Sequence, residues 1–339
     1  MNRQSNIELL RIIAMFMILG LHVNFFSLGV PMIAEYESAP FSSFMRVLME
    51  NICIVGVNIY VLISGWFGIR YKTKSVCNFI FQCLFFSIIL FIPFAATGKI
   101  DIDMVNIMSS LLMYKNAYWF VWAYLILYIL SPILNSFTET TDRKTFKRVL
   151  VSFFAIQTIV FIFTPCGFFK AGYSPLSFIG LYLLARYLRN HTTIRGKYIY
   201  LGIYLLCAFA NTITCIVPPM YGISNETINA IIISYTNPIN IIGALSLLIF
   251  FTRLSFKSKI INYISNSCFA VYLIHMHFCI SDKYLYISKR IYNENDGIIY
   301  IAYILTFIIA VFLLSILFDK VRIKVFNTIW NSIEKTTEQ

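Results

Sequence analysis

The chain has 339 residues, of which 59% are hydrophobic and only 12% carry a charge. Soluble globular proteins are about 45–50% apolar and about 25% charged. The polar residues are too few to cover the surface of a water-soluble fold. This composition therefore excludes a disordered chain, a nucleic-acid-binding domain and an ordinary cytosolic enzyme. We therefore predict that lipid is the solvent for most of the chain, and that the net charge of +12 reports membrane topology.

Ten apolar runs follow one another, and most approach the roughly 20 residues that a spanning helix needs. They lie near 7–28, 52–69, 76–97, 117–135, 147–165, 174–189, 197–217, 228–251, 267–281 and 298–319. The first run exceeds the apolar core of a cleaved signal peptide, so we interpret it as a retained helix. The predicted fold is all-α, a polytopic membrane protein with about ten transmembrane helices. It forms a single membrane domain over 1–325, followed by a short cytoplasmic tail over 326–339.

The basic residues divide unevenly between alternate loops. With the N-terminus inside, the inside segments carry 19 of the 27 Lys and Arg residues and the outside segments carry seven, while Arg11 lies in a span. Since Lys and Arg are retained on the cytoplasmic side of short loops, both termini are predicted to be cytoplasmic. The last outside segment departs from this pattern with three basic residues, which are offset by Asp282, Glu294 and Asp296.

The first span carries ionisable side chains, which cost at least about 2.5–3.5 kcal/mol at mid-helix and are therefore functional candidates. Arg11 and His22 are eleven residues apart, a spacing that places them on one helix face about 16 Å apart along the axis. Glu8 precedes Arg11 by three residues and is positioned to pair with it. A snorkelling Arg11 and a His22 that bonds between helices are the structural alternatives.

The ninth span contains two histidines. His275 follows Tyr272 by three residues, shares its face, and is expected to face the interior of the bundle. His277 faces differently and is expected at the outer interface. His191 lies in a basic inner loop and is assigned no role. No cysteine or histidine cluster has metal-ligand spacing, so no metal site is predicted.

The second and fourth spans have distinctive ends. The second reads ISGWFGIR up to Arg70, and its glycines permit close approach of another backbone or a ligand. Helix packing and a positive-inside anchor explain the same residues. The fourth begins YWFVWAY at Tyr118, which an aromatic belt at the outer interface also explains.

Four stretches resemble, in chain order, motifs of the membrane acyltransferase-3 family of bacterial envelope O-acyltransferases. They are IELLRIIAMFMILGLH (7–22), VGVNIYVLISGWF (55–67), WFVWAYLILYILSP (119–132) and SCFAVYLIH (267–275). Arg11 and His22 have the spacing of the family's Arg and His. At one position the chain departs from the family pattern, since many members carry Glu in a Trp-Ser-Leu-x-x-Glu stretch where this chain has Tyr124. An acidic partner is therefore absent there.

The resemblance implies an acyl-CoA-dependent O-acyltransferase of the bacterial cytoplasmic membrane. Its expected donor is acetyl-CoA, and its expected acceptor is a hydroxyl of an envelope polysaccharide or of a lipid-linked saccharide precursor. Imidazole titrates near neutral pH, so His22 is the expected base toward that hydroxyl, and His275 or Tyr272 is the expected oxyanion donor. A covalent acyl-histidine intermediate remains an alternative to direct attack.

The donor is expected to meet the inner ends of the first two spans. Arg11 and Arg70 are expected to hold the coenzyme A phosphates, and Ser64 and Gly65 are expected to let the pantetheine arm pass close to the backbone. Further candidate site residues are Glu8, Trp119 and Tyr124.

Two other classes of protein share the predicted span count. A multi-pass transporter or flippase of an envelope lipid or glycan agrees with ten spans, although no internal repeat is visible in the sequence. A membrane sensor or scaffold explains the spans and leaves the intramembrane histidines unexplained. Binding of coenzyme A distinguishes the enzyme from the transporter. No nucleic-acid partner is predicted, and the sequence leaves the acceptor and the oligomeric state open.

Overall fold

A computed structural model describes residues 4–111, 118–164, 168–192, 196–221, 234–295 and 297–337. All regular structure in these ranges is helical, which confirms the all-α prediction. Within them, seven helices are long and apolar enough to cross a membrane, and they correspond to predicted spans one to five, seven and ten. Asp296, residues 228–233 of the eighth predicted span and the last two residues of the predicted tail lie outside the described residues.

The helices are numbered here in chain order. The first eight are α1 (Ser5–Val23), α2 (Phe25–Leu28), α3 (Ile33–Ser38), α4 (Pro40–Cys53), α5 (Gly56–Phe67), α6 (Thr73–Ala96), α7 (Met104–Leu111) and α8 (Trp119–Thr140). The next eight are α9 (Arg143–Phe163), α10 (Pro175–His191), α11 (Tyr198–Met220), α12 (Pro238–Thr252), α13 (Lys259–Ser265), α14 (Cys268–His275), α15 (Ser281–Glu294) and α16 (Gly297–Thr337).

Three predicted spans take shorter forms. The sixth is α10 with 17 residues, and the eighth is α12 with 15 described residues. The prediction of a continuous ninth span over 267–281 is wrong, because α14 has only eight residues and ends at His275. The ring of His277 causes part of this break, since its Nδ1 accepts the backbone N–H of Cys279 at 3.2 Å in place of a helical carbonyl.

The second predicted span begins much earlier than its apolar run. Helix α4 leads into α5 with only two residues between them, and together they form a 28-residue candidate span, Pro40–Phe67. Most of residues 29–51, which the first two predicted spans leave between them as an outer loop, is therefore helical. Polar side chains in α4, among them Arg46 and Glu50, are buried there, so the hydropathy of this segment is typical of a loop although its structure is a helix.

Two compact units make up the chain. The first consists of Met1–Arg70 and Ala123–Asn262, and α5 lies at its centre, packed against α1, α10 and α12. The central position of α5 follows from its apolar side chains and its glycines. A Cβ on Gly56 would lie 3.0 Å from the carbonyl oxygen of Ala14 in α1, so that glycine permits a close approach of the two helices.

The second unit consists of Tyr71–Trp122 and Tyr263–Gln339. Within it, α14 packs against α6 and α16, and α15 also packs against α16. Helix α16 has 41 residues, or about 60 Å at the rise of an α-helix, which exceeds the hydrocarbon thickness of a bilayer. The segment predicted as a tail from residue 326 onward continues this helix as far as Thr337.

Candidate functional site

Helix α1 carries Arg11 and His22 on one continuous helix, so the two side chains keep the shared face that their spacing predicts. Arg11 Nη1 donates to Glu8 Oε2 at 2.5 Å, and the two side chains are 28% and 9% exposed. A guanidinium has five N–H donors. The pair with Glu8 therefore fixes Arg11 while leaving donors for a ligand.

A short chain of hydrogen bonds connects Arg11 to α5 and α8. The Tyr60 hydroxyl donates to the carbonyl oxygen of Arg11 at 2.9 Å, and Ser64 Oγ donates to the carbonyl oxygen of Tyr60 at 3.0 Å. Ser64 Oγ also lies 3.0 Å from the hydroxyl of Tyr124. Because the single proton of Ser64 goes to the carbonyl, Tyr124 is the donor in this last bond. Three of the four motif stretches therefore meet through hydrogen bonds.

Tyr124 occupies the position at which the family pattern has an acid. In this chain its hydroxyl binds Ser64 of the Ser-Gly stretch, so the position keeps a polar contact to α5 without a carboxylate. Tyr60 was not recognised from the sequence, because a tyrosine in an apolar run gives no signal that distinguishes a hydrogen-bonding role from packing.

The C-terminal end of α5 is held by α8 and α10. Tyr182 OH accepts the backbone N–H of Ile69 at 3.0 Å and donates to Asn135 Oδ1 at 2.6 Å. Asn135 Nδ2 in turn donates to the carbonyl oxygen of Ile69 at 2.8 Å. The Tyr128 hydroxyl donates to the carbonyl oxygen of Arg70 at 3.1 Å. The turn that positions Arg70 is therefore fixed through its backbone on both sides.

Two further arginines from α10 lie at this end of α5. Arg189 donates to the carbonyl oxygen of Trp66 and lies over the Phe67 ring at 5.3 Å. A Cβ on Gly68, where φ is +74°, would lie 2.9 Å from Arg186 Nη1. In the sequence, these two arginines are notable only as basic residues of an inside segment, where they indicate the orientation of the chain in the membrane. The structure places both beside the end of α5 that carries Arg70.

Gly65 is a packing contact between α5 and α10. A Cβ at this position would lie 2.5 Å from the carbonyl oxygen and 2.8 Å from the Cα of Tyr182. The backbone of α10 therefore fills the space beside the Gly65 Cα, as the helix-packing interpretation requires. Its contact with a pantetheine arm stays a prediction.

At the other end of α1, His22 is the next-to-last residue of the helix, which breaks at Asn24 before α2 begins. Its ring meets Phe26 edge-on at 5.2 Å between centroids. The carboxylate of Glu50, which is 3% exposed, accepts from Asn24 Nδ2 at 2.9 Å and from the backbone N–H of Phe25 at 3.3 Å. Glu50 thus stabilises the break beside His22. Sequence reasoning missed it because Glu50 lies just before the predicted second span.

The second unit contains His275, Tyr272 and Trp119. His275 is 1% exposed, as its expected inward orientation requires, and its Nδ1 lies 2.5 Å from the carbonyl oxygen of Val271. A carbonyl only accepts, so Nδ1 carries the proton and Nε2 of the neutral ring is an acceptor. A role as an oxyanion donor would therefore need the charged imidazolium. Tyr272 lies edge-on to His275 at 6.4 Å, and Trp119 lies edge-on to Phe120 at 5.9 Å.

His277 does not face lipid or water, because its side chain is fully buried in the protein. Its depth near the outer interface stays a prediction. Nδ1 accepts the Cys279 N–H, which leaves Nε2 to donate to the carbonyl oxygen of Ser87 at 3.2 Å. His277 therefore joins the turn after α14 to α6. In the part of the chain that the structure describes, no group of three or more His, Cys, Asp or Glu is placed to hold a metal ion.

The motif stretches fall within the range of one known family. A family model described as an acyltransferase domain matches residues 4–320. Neither the search of curated proteins nor that of solved structures found a match. The matched range includes α1, α5, α8 and α14, which carry the four motif stretches. Because the match covers most of its length, the chain belongs to the acyltransferase-3 family.

Proposed function

We propose that the protein is an integral-membrane O-acyltransferase that moves an acyl group, most simply acetyl, from acyl-CoA to a hydroxyl of an envelope polysaccharide or its lipid-linked precursor. The hydrogen bonds that join the Arg11 carbonyl, Tyr60, Ser64 and Tyr124 carry the proposal. They bring the motif stretches of α1, α5 and α8 together at one polar site within an apolar protein, where uncompensated polar groups are costly.

The donor phosphates bind at the inner ends of α1 and α5 in this proposal. Arg11 and Arg70 supply guanidinium groups there, and Arg186 and Arg189 extend the cationic set around the end of α5. Guanidinium groups bind phosphate oxygens in a bidentate geometry. One hydrogen bond of Arg189 goes to the Trp66 carbonyl at the end of α5. The Arg189 side chain is exposed, so its other N–H groups remain for a ligand.

His22 acts as the base toward the acceptor hydroxyl. It takes the hydroxyl proton while the oxygen attacks the thioester carbonyl carbon, a new C–O bond forms, and the C–S bond breaks. The proton then passes from the imidazolium to the leaving coenzyme A thiolate. A histidine suits this step because its imidazole both accepts and returns a proton near neutral pH.

The proposed topology has ten membrane segments with both termini on the cytoplasmic side of a bacterial inner membrane. Seven segments are the long apolar helices, and α10, α12 and α14 contribute to the other three. In this arrangement Arg11 lies near the cytoplasm, where acyl-CoA is made, and His22 lies deeper. The acyl group therefore crosses part of the membrane before transfer.

Donor binding is tested with coenzyme A and acetyl-CoA by thermal shift in detergent. Wild-type protein is expected to unfold at a higher temperature with either ligand, because a ligand that binds only the folded state stabilises it. Arg11→Ala is expected to weaken donor binding at least tenfold and to raise KM for acetyl-CoA with a smaller change in kcat. Arg148→Ala, which removes an exposed arginine of α9, is the matched control. Absence of a shift with wild-type protein would contradict the enzyme and favour a transporter.

The acceptor is identified by mass spectrometry of envelope glycans from cells with and without the gene. An acyl mass increment that is present only with the gene would identify both the acyl group and the acceptor. Identical glycan masses in the two strains would contradict a glycan acceptor.

A further inference from the structure

A cavity of about 310 Å³ lies in the second unit, apart from every residue that the acyl-transfer proposal uses. It is lined by the start of α6, by the part of α16 from Arg322 to Asn327, and by Asn266 between α13 and α14. Its polar lining consists of Lys74, Ser75, Asn78, Asn266, Arg322 and Asn327. Lysine, arginine, amide and hydroxyl groups all supply hydrogen-bond donors, so the lining is suited to a ligand rich in acceptor oxygens.

Arg322 gives the cavity a fixed cation. Its side chain is only 3% exposed, and its Nε and Nη2 both donate to Asp319 Oδ1, at 2.9 and 2.7 Å. Nη1 donates to Asn78 Oδ1 at 2.7 Å. These bonds use three of the five guanidinium N–H groups and hold its plane in one orientation. Arg322 and Asp319 thus form a buried ion pair without net charge, in which Asp319 Oδ2 has no hydrogen-bond partner, and two guanidinium N–H groups of Arg322 remain beyond these bonds.

Lys74 supplies a second, exposed cation, which also lies 5.5 Å from the centroid of the Trp330 ring. Its ammonium lies 3.7 Å from a Glu334 carboxylate oxygen, and the two side chains are 48% and 52% exposed. An exposed ion pair of this kind contributes little stability, about 0–1 kcal/mol. A ligand with a stronger negative charge is therefore able to replace Glu334 as the partner of Lys74.

Helix α6 begins at the same end of the cavity. No side-chain cap is formed at Lys72, and the backbone N–H groups of Ser75 and Val76 donate to the Lys72 carbonyl oxygen at 2.9 and 3.1 Å, so this 24-residue helix contributes the positive end of its dipole. Together with Lys74 and Arg322, it favours a compact anion with several oxygens. Phosphate has this charge and geometry.

We propose that this cavity binds the phosphate group of a phosphorylated ligand. Two sources share this chemistry, the head group of an anionic phospholipid and a soluble phosphorylated nucleotide. The parts of α6 and α16 that line the cavity lie where the charge distribution predicts the cytoplasmic side of the membrane. Anionic lipids and nucleotides are both present on that side. The proposal is independent of the acyl-transfer mechanism, because none of its residues contributes to that mechanism.

The experiment measures binding of dihexanoyl phosphatidylglycerol and of adenosine 3′,5′-bisphosphate to the purified full-length protein in detergent. Lys74→Glu is expected to weaken binding of at least one probe tenfold or more, because it places a negative charge beside the phosphate. Lys324→Glu makes the same charge change at an exposed position of α16 outside the cavity lining and is expected to leave binding within twofold of wild type.

The outcomes separate the two sources and the two sites. Loss confined to the lipid probe identifies a lipid head group, and loss confined to the bisphosphate identifies a nucleotide. Binding that survives Lys74→Glu and is lost in Arg11→Ala belongs to the donor site and would overturn the cavity proposal while supporting the proposed function. Binding of neither probe, or equal losses in Lys74→Glu and Lys324→Glu, would also overturn it.

Discussion

At the scale of single residues, the helix break after His22 depends on the buried carboxylate of Glu50. That carboxylate accepts hydrogen bonds from the Asn24 side chain and the Phe25 backbone. Asn24 Nδ2 also donates to the carbonyl oxygen of Arg46 at 2.8 Å. These contacts fix the segment that follows His22, so the position of the proposed base depends on a residue 28 positions away in the sequence.

Glu50→Ala is therefore expected to lower the free energy of unfolding by about 1–3 kcal/mol, because buried donors lose their acceptor. Thermal unfolding in detergent measures the change. Glu37→Ala, at an exposed position of α3, is the control and is expected to change stability by less than about 0.5 kcal/mol. Equal midpoints for the two variants would contradict the role of Glu50.

Some residues of the candidate site could be predicted from the sequence and others could not. The Glu8–Arg11 pair follows from their spacing on one helix, and the structure contains it. The contacts of Ser64 with Tyr124 and of Glu50 with Asn24 join residues far apart in the chain. No local pattern encodes such pairs, because they depend on how the helices pack.

At the scale of helices, the position of α5 depends on Gly65. A Cβ there would collide with the backbone of Tyr182, and a backbone contact has no rotamer through which to relax. α5 and α10 would therefore have to separate, and this would also disturb the Tyr182 and Asn135 bonds that hold the turn before Arg70.

Gly65→Ala is expected to destabilise the protein by about 1–3 kcal/mol through overpacking. Gly202→Ala in α11 is the matched control, since nothing lies within 4 Å of its Cβ position. The control is expected to be neutral or to stabilise by about 0.5–1 kcal/mol, because alanine favours helix more than glycine does. A Gly65→Ala protein as stable as Gly202→Ala would show that α5 and α10 approach less closely.

Helix boundaries were less predictable than helix identity. Hydropathy placed the start of the second span at residue 52, whereas buried polar side chains extend the helical segment back to Pro40. It also predicted one helix across His275 and His277. The ring of His277 instead bonds the N–H of Cys279, a contact that composition does not reveal.

At the scale of the whole molecule, composition alone was sufficient to predict a helical membrane protein. The seven long apolar helices and the family match over residues 4–320 agree with that prediction. The ten segments follow from the apolar runs, and their orientation follows from the distribution of the basic residues.

The topology predicts that a reporter fused after Gln339 remains in the cytoplasm. A green fluorescent protein fusion there should fluoresce, and an alkaline phosphatase fusion should be inactive, because the phosphatase needs an oxidising compartment for its disulfides. A fusion at Gly98, in the outer loop that the third and fourth predicted spans leave over 98–116, should give the opposite pattern. An active phosphatase after Gln339 would contradict the predicted orientation.

Transfer of a labelled acetyl group tests whether His22 acts as the base in acyl transfer. Membranes that contain wild-type protein, His22→Ala or His191→Ala are incubated with acetyl-CoA labelled in the acetyl group, and label in the glycan fraction is measured over time. We expect His22→Ala to lose at least about 100-fold in rate at unchanged protein level and thermal stability, and His191→Ala to retain the wild-type rate. Wild-type turnover by His22→Ala would contradict the assignment.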